Sequence, residues 1–456
     1  MRFFQTEDGT EYNSFLQCLN DQKFTTLDLN PSAVSEFLIY GQLHREATFL
    51  KSVTKHFTHQ PYRLDINNGL TENSIGSGNP LQNRPSNSLK KDQKKFLLFF
   101  EDRAVHLNDR KLSIDLTGGI DSRLIASILH ALDVKFDALF SMISGDENEL
   151  HIVHQLCNKL DVDLHVIREE NLIDEKELDA LYQLSDGLWN PLKIRSLSKA
   201  QKWRKSQNYD LAITGVGGEL YKDFFWQQNF PFYTSRKHHF ERLNRLRMYP
   251  SMMPEEWIGV KFRNEYTNFQ NSFVSNLKRY QKKYNTQTYD QIYYQVRVKE
   301  TSSALSKMSS NYLPVYSPLL EPELLEIGYN LKRRHRFFNY FHRSLITNCT
   351  PEIAKIPTTE GGVSVSVKGN YVFKDLFRYG VNKSNSLYSK VIGKRFTSPP
   401  THSDFEMLSA TIEDSIKRLK QAEILSCAAP VSALSYPDEI AGRLLSLSKL
   451  IEQLKK

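Results

Sequence analysis

The chain has 456 residues, a formal net charge of +8 and a hydrophobic content of 40%. This balance predicts a soluble globular protein. It excludes a disordered or membrane-spanning chain, because no apolar run approaches the roughly 18 residues of a membrane span. The four cysteines are scattered without a C-x-x-C pair, so we expect no disulfide, no zinc site and a cytoplasmic location.

The first 75 residues predict a small α+β domain. Residues 25–29 have the composition of a strand, and residues 31–40 have the apolar spacing of a short helix. Asn, Ser, Gly and Pro dominate residues 67–87, which predicts a loop. Residues 89–106 then predict a helix whose apolar face is rich in phenylalanine.

Strands and helices alternate from residue 111 onward. Four apolar segments predict strands, at 112–116, 136–142, 163–167 and 210–214, and helical spacing fills the intervals. Strands joined by helical crossovers predict a doubly wound parallel sheet with helices on both faces, followed by a helical C-terminal part. The domain boundaries that we expect are 1–75, 76–110, 111–400 and 401–456.

The string T-G-G-I-D-S follows the first of these strands and opens a helix. Gly118 and Gly119 allow the backbone N–H groups to approach an anion, and Thr117 and Ser122 add hydroxyl donors. The helix start adds unpaired N–H groups and the positive end of its dipole. Asp121 would repel a phosphate unless Mg²⁺ lies between them, so the string predicts a pyrophosphate-bearing nucleotide with its metal. The alternative is an ordinary strand-to-helix turn.

A second glycine string, I-T-G-V-G-G-E-L, follows the fourth strand. Gly215 and Gly217 again allow close backbone approach, and Glu219 places a carboxylate just beyond the strand. Because ligands bind at the carboxyl ends of parallel strands, we expect both strings to meet in one crevice.

Both strings resemble those of a known enzyme family. T-G-G-I-D-S resembles the S-G-G-x-D-S loop of the PP-loop ATP-pyrophosphatases, with Thr117 in place of serine. I-T-G-V-G-G-E-L resembles the G-x-G-S-D-E loop of asparagine synthetases and β-lactam synthetase. The resemblance implies ATP cleavage between the α and β phosphates and adenylation of a substrate. It also puts Glu219 at the position of an aspartate that binds Mg²⁺, so that Asp121 and Glu219 would hold the metal.

The resemblance extends through the segments Y-Q-V-R-V-K, S-P-L-L-E-P-E-L-L-E and T-P-E-I-A-K-I-P, to about residue 360. It implies that Ser141 and Met142 contact the adenine and that Arg297 lies near the phosphates. An essential lysine is expected soon after the last segment, and Lys355 and Lys368 are its candidates. A glutamate that activates the nucleophile in the family is replaced here by Pro314, so the acceptor half differs from that of ordinary asparagine synthesis.

The segment from Ala33 resembles the end of the glutaminase domain of asparagine synthetases. The active glutaminase uses an exposed N-terminal cysteine, whereas here Arg2 follows Met1 and the first cysteine is Cys18. We therefore expect a reduced, inactive relic. The nitrogen would come from ammonia, a partner amidotransferase or an amine of the substrate itself.

These observations favour an ATP-dependent amide-forming ligase that adenylates a small-molecule or peptide carboxylate, in a biosynthetic or peptide-modifying role. Three alternatives stay open: an ammonia-dependent asparagine synthetase, an RNA-modifying PP-loop enzyme and a nucleotide-binding scaffold without catalysis. The basic clusters around Lys282 and Arg334 are typical of solvated surface, and no RNA-binding signature accompanies them.

Overall fold

A computed structural model of the chain describes residues 2–57, 62–72, 79–82, 88–142, 147–168, 173–229, 232–359, 364–367, 370–374, 376–377, 380–381 and 408–454. The strands are β1 (Arg2–Thr6), β2 (Glu11–Tyr12), β3 (Val53–Phe57), β4 (Tyr62–Asp65), β5 (Gly69–Glu72), β6 (Leu112–Asp115), β7 (Asp137–Met142), β8 (Leu164–Arg168), β9 (Leu211–Ile213) and β10 (Val315–Tyr316).

The described helices are α1 (Phe15–Asp21), α2 (Pro31–Tyr40), α3 (Leu89–Glu101), α4 (Ala104–Asn108), α5 (Asp121–Ala131), α6 (Glu147–Leu160), α7 (Glu175–Leu184), α8 (Arg195–Ser206), α9 (Phe240–Leu243), α10 (Val260–Leu277), α11 (Asn285–Ile292), α12 (Lys299–Ser310), α13 (Pro322–Asn330), α14 (Arg333–Arg336), α15 (Tyr340–Cys349), α16 (Pro351–Ala354), α17 (Ser409–Gln421) and α18 (Asp438–Leu454). Short 3₁₀ turns and two π-helical turns, Asn244–Met248 and Tyr293–Val298, join some of them.

A five-stranded parallel sheet forms the centre of the chain, with the order β10-β9-β6-β7-β8. The first three residues of its middle strand β6 are buried, and Ile114 pairs with Ile213 on one side and Ala138 on the other. The chain winds outward from β6 to β7 and β8, then returns to β9 on the opposite side. The sheet is therefore doubly wound, as predicted, and the turns after β6 and β9 flank its topological switch point.

Helices cover both faces of this sheet. The right-handed crossovers of parallel strands place α5 and α6 on one face, and the reversed winding places α8 on the other. Helices α6 and α8 both pack against β7, while α15 covers α5 and α12 covers α8. The sheet core is consequently enclosed, which leaves its carboxyl edge as the place where loops can meet a ligand.

The N-terminal part forms a three-stranded antiparallel sheet in the order β2-β1-β3, with α1 packed against β1 and β2, while α2 packs against α10. The strand predicted at 25–29 is wrong: Thr26–Asp28 is a 3₁₀ turn that Thr25 and Asp28 close as a capping box. The polar side chains at both ends satisfy the turn's own N–H groups, and this outweighs the β-propensity of the segment.

Buried polar contacts fasten the N-terminal part to the rest of the chain. Lys55 and Glu300 form a fully buried ion pair with an N–O distance of 2.8 Å. Asp186 accepts hydrogen bonds from Ser14 Oγ and from the backbone N–H groups of Phe15 and Leu16, which caps α1. The two parts therefore pack as one body, while the predicted boundaries at 75, 110 and 400 stay predictions.

Two further features bear on location and on ligands. In the part of the chain that the structure describes, no helix is both long and apolar enough to cross a bilayer. A concavity of about 1,210 Å³ is lined by Leu112, Phe136, Asp137 and Asp163, at the amino ends of the strands. It lies at the edge opposite the glycine turns, and parallel sheets bind nucleotides at the carboxyl edge.

Candidate active site

The two glycine turns pack directly on each other at the carboxyl edge of the sheet. A methyl group at Gly215 would lie 2.8 Å from the backbone N of Ser122, and one at Gly218 would lie 2.2 Å from the carboxyl carbon of Asp121. No Cβ atom tolerates such distances, so each turn needs its glycine for the other to fit. Gly217 has φ +102, a conformation that side-chain-bearing residues rarely adopt. The structure thus brings both predicted strings into one crevice.

Asp121 is the first residue of α5 and lies at the centre of this crevice. Its Oδ2 accepts a hydrogen bond from Lys222 Nζ at 2.6 Å, and its Oδ1 lies 3.1 Å from His342 Nε2. Burial works against ionisation of Asp121, but the Lys222 ammonium and the His342 imidazole outweigh it and lower the pKa of the carboxyl to about 2. Asp121 is therefore a carboxylate at neutral pH.

Glu219 faces Asp121 across the same lysine. Its Oε1 lies 3.9 Å from Lys222 Nζ, and its Oε2 accepts a hydrogen bond of 2.7 Å from the hydroxyl of Tyr293. Burial, together with the nearby Glu219, raises the pKa of Tyr293 well above its ordinary value, so the phenol keeps its proton and remains a donor. Two carboxylates thus share one ammonium between them.

The predicted anion-binding turn is held by its own side chains. Thr117 N–H donates to Ser122 Oγ at 3.2 Å, and Gly119 N–H donates to Thr117 Oγ1 at 3.2 Å. Gly118 N–H donates to a carboxylate oxygen of Glu149 on α6, at 2.9 Å. An anionic oxygen of the protein therefore occupies one donor that was expected to bind a phosphate.

Thr359 closes the other side of this turn. Its methyl carbon would lie 2.3 Å from a Cβ at Gly118, and its N–H donates to the Gly118 carbonyl at 3.3 Å. The fully buried Arg123 links the glycine turn to the segment before Thr359, because its guanidinium donates to the carbonyls of Gly118, Ile356 and Pro357. Burial lowers the pKa of Arg123 to about 9, so it remains a cation at neutral pH.

We expect Glu149→Gln to tighten the binding of a non-hydrolysable ATP analogue by about fivefold, since it removes one negative charge from the turn that the sequence predicts to bind phosphate. Isothermal titration calorimetry measures the dissociation constant. Glu147→Gln is the matched control: it lies on the same helix, is exposed and pairs with Arg168 at 3.4 Å. Equal affinities of wild type and Glu149→Gln would show that no phosphate approaches Gly118.

The remaining predicted residues are placed as follows. Ser141 and Met142 end β7, on the same edge as the crevice, and Arg168 Nη1 lies 3.2 Å from Met142 Sδ. Arg297 lies one π-helical turn after Tyr293 but donates to the carbonyl of Arg247.

Pro314 and Lys355 both lie away from the cluster. The carbonyl of Pro314 accepts a hydrogen bond from Ala212 N–H in the sheet, and Lys355 is exposed and pairs with Glu352. Lys368 lies outside the described residues.

Several residues of the cluster were not expected from sequence. Lys222 has a local signal, because it lies three residues after Glu219 in the loop after β9. Tyr293, His342 and Glu149 come from other helical segments, and of the three only Tyr293 adjoins a segment that the sequence analysis singled out, Y-Q-V-R-V-K. The packing of α15 against α5 brings His342 to Asp121, the π-helical turn at 293–298 brings Tyr293 to Glu219, and α6 brings Glu149 to Gly118.

Asp223, the residue after Lys222, predicts a specific pH dependence of stability. Burial raises the pKa of its carboxyl to about 6, although Tyr233 donates to it at 3.3 Å. The folded state therefore binds more protons than the unfolded state between about pH 4 and 6, so this group makes the protein less stable as the pH rises through that range.

Ionisation of the buried Asp223 carboxyl lowers the free energy of unfolding by about 2–3 kcal/mol, because its pKa rises from 3.8 to about 6 on folding. Urea unfolding at pH 4.5 and pH 7 should show it as a difference in stability that Asp223→Asn removes. If the unfolding free energies of wild type and Asp223→Asn change by the same amount between the two pH values, the Asp223 carboxyl is already ionised at pH 4.5 and the prediction is wrong.

A doubly wound parallel sheet with paired glycine turns at its switch point defines an α/β protein of the PP-loop class. The asparagine synthase family model matches residues 102–348, which is more than half of the chain, and the protein therefore belongs to the asparagine synthase family. Members of this family are ATP-dependent ligases, and Mg²⁺ is their typical metal.

A comparison with solved structures gives the U34-tRNA thiolase NcsA from Methanococcus maripaludis with its [4Fe-4S] cluster, at 14% identity and a TM-score of 0.22. The alignment covers 42% of this chain and 78% of that one. No curated protein matches the sequence.

Proposed function

We propose that the protein is an ATP-dependent ligase that forms an amide bond through an acyl-adenylate. A carboxylate oxygen of the substrate attacks the α-phosphorus of ATP, the bond to the bridging oxygen breaks, and pyrophosphate leaves. An amine then attacks the activated carbonyl and loses a proton, and AMP leaves with the former carboxylate oxygen. The observation that carries this proposal is the contact between Gly215 and the start of α5, which joins both family loops in one crevice.

The chain's own residues would act by position and charge. The N-terminus of α5, with Ser122, presents donors to the phosphates, and Lys222 supplies a cation beside them. The Tyr293 hydroxyl holds Glu219 through a hydrogen bond of 2.7 Å, and Arg336 Nε holds the backbone carbonyl of Lys222 at 3.0 Å. Charge stabilisation of the leaving pyrophosphate is the main contribution that such a cluster can make.

The amine would not come from glutamine hydrolysed in the N-terminal part. Cys18 is the only cysteine among the first 75 residues, it is fully buried, and burial raises the pKa of its thiol to about 11. Such a thiol is a poor nucleophile. Free ammonia, an amine of the substrate or a partner amidotransferase would supply the nitrogen, and the substrates would be biosynthetic or peptide carboxylates.

An isotope experiment tests the reaction. The purified chain is incubated with ATP, Mg²⁺, pools of ¹⁸O-labelled carboxylates and pools of amines, and the nucleotides are analysed by mass spectrometry. Adenylation transfers one ¹⁸O atom to AMP and releases pyrophosphate, whereas an ordinary ATPase gives ADP and phosphate. Unlabelled AMP, or ADP as the product, would contradict the proposal.

A nucleotide-binding scaffold without catalysis is the second candidate. It is favoured by the contact of Glu149 with Gly118 and by the exposed position of Lys355, 68% accessible and paired with Glu352. A scaffold would bind the ATP analogue but release no pyrophosphate with any of the substrate pools. Turnover that depends on Asp121 would exclude it.

A further inference from the structure

The side chain of Lys222 lies where a metal ion was expected. Its Nζ is 2.6 Å from Asp121 Oδ2 and 3.9 Å from Glu219 Oε1, and the side chain is only 11% exposed. The two carboxylates that the family resemblance assigns to Mg²⁺ therefore face each other across an ammonium group.

The surrounding groups do not form a metal-ligand set. Within the described ranges, no group of three or more His, Cys, Asp or Glu side chains is arranged to hold a metal ion. His342 is fully buried, and its Nε2 faces Oδ1 of Asp121, whose other oxygen already accepts a hydrogen bond from Lys222 Nζ. Glu219 gives its second oxygen to Tyr293. The residues present thus fit an ammonium better than an octahedral Mg²⁺.

We propose that the Lys222 ammonium takes the place of a protein-bound metal between Asp121 and Glu219, so that Mg²⁺ enters this site only with the nucleotide. This inference rests on the proposed function, because it concerns the same crevice and the charges beside the same phosphates.

Lys222 is held at its backbone carbonyl as well as at its ammonium group. Arg336 Nε donates to the Lys222 carbonyl at 3.0 Å, and Arg336 is itself held by Asp290 through two hydrogen bonds of 2.8 Å. The preceding residue, Tyr221, is fully buried against Phe341. The backbone is therefore anchored independently of the ammonium, and a neutral side chain at position 222 leaves its anchors intact.

Removing the ammonium leaves two facing carboxylates without a cation, which is the condition that draws a divalent ion. We therefore expect the nucleotide-free Lys222→Gln variant to bind Mn²⁺ at least about tenfold more tightly than wild type. Lys222→Arg keeps the charge and should bind no more Mn²⁺ than wild type. Adding Asp121→Asn to Lys222→Gln should abolish the new site.

The measurement is the amplitude of the free Mn²⁺ signal in electron paramagnetic resonance during titration, with thermal unfolding as the check that each variant is folded. Stoichiometric Mn²⁺ binding by the nucleotide-free wild type, lost in Asp121→Asn, would overturn the inference. So would a folded Lys222→Gln variant that gains no Mn²⁺ site. Neither result touches the proposed ligase reaction, which is read separately from ¹⁸O transfer to AMP.

Discussion

Replacing Asp121 by asparagine is expected to lower the rate of pyrophosphate release by about 10²–10³-fold, because the variant loses the charge that fixes the Lys222 ammonium. The wild-type carboxyl has a pKa of about 2, so asparagine removes a full negative charge at neutral pH while keeping the shape of the side chain. The Lys222 ammonium is then attracted mainly by Glu219, 3.9 Å away, and shifts from its position beside the helix start.

The rate is measured as pyrophosphate and AMP released from ATP in the presence of the active substrate pool. Asp414→Asn is the matched control, because Asp414 is an exposed aspartate whose partner is Lys417 on the same helix. It should keep the wild-type rate. An Asp121→Asn variant that is folded and retains more than about a tenth of the activity would remove Asp121 from the reaction.

The sheet and the two glycine turns could be predicted because their signals are local. An apolar strand, a pair of glycines and a helix start follow one another within about a dozen residues, and the rule for parallel sheets brings both turns to one edge. The predicted helix at 31–40 coincides with Pro31–Tyr40, where Asn30 and Gly41 supply both caps. Pattern and structure agree here because the apolar spacing and both caps favour the same helix, whereas at 25–29 the capping hydrogen bonds oppose the β-propensity and the prediction fails.

The neighbours of the turns could not be predicted in this way. His342 reaches Asp121 from more than 200 residues along the chain, and Glu149 reaches Gly118 from another helix. Strand β10 has only two residues and exists because Val315 and Tyr316 pair with β9. In these cases tertiary packing selects the residue, and neither propensity nor periodicity records it.

The candidates for the lysine that the family resemblance implies show the same limit. The resemblance directs attention to Lys355 and Lys368, yet Lys355 points to solvent and Lys368 is outside the described residues. The lysine that does contact Asp121 is Lys222, which belongs to the loop after β9. A lysine can reach one position from several parts of a fold, so its residue number is less predictable than its charge.

The buried pair of Arg336 and Asp290 should be the most sensitive point for stability. Two hydrogen bonds of 2.8 Å join the pair, Trp226 Nε1 donates to Asp290 at 3.0 Å, and the guanidinium lies 3.7 Å from the Trp226 ring centroid. We expect Arg336→Met to cost about 3–5 kcal/mol of unfolding free energy at pH 7, because it leaves the buried Asp290 carboxylate without the cation that neutralises it. Denaturant unfolding measures the loss.

The charge left on Asp290 makes this loss depend on pH. Burial already raises the pKa of Asp290 despite the attraction of Arg336, so without the arginine the carboxyl takes up a proton more readily in the folded state. The folded variant then binds more protons than the unfolded one, and its stability deficit should shrink as the pH falls from 7 to 5. A double variant with Asp290→Asn should cost less than the sum of the two single changes.

A surface pair provides the contrast. Lys417→Met breaks the pair of Lys417 and Asp414. Because both side chains of this pair are more than half exposed, we expect little change in the free energy of unfolding. If Arg336→Met unfolds with the same free energy as Lys417→Met, the Arg336–Asp290 pair does not contribute to stability. A large loss would instead show that the buried carboxylate of Asp290 depends on the Arg336 guanidinium, which also holds the carbonyl of Lys222.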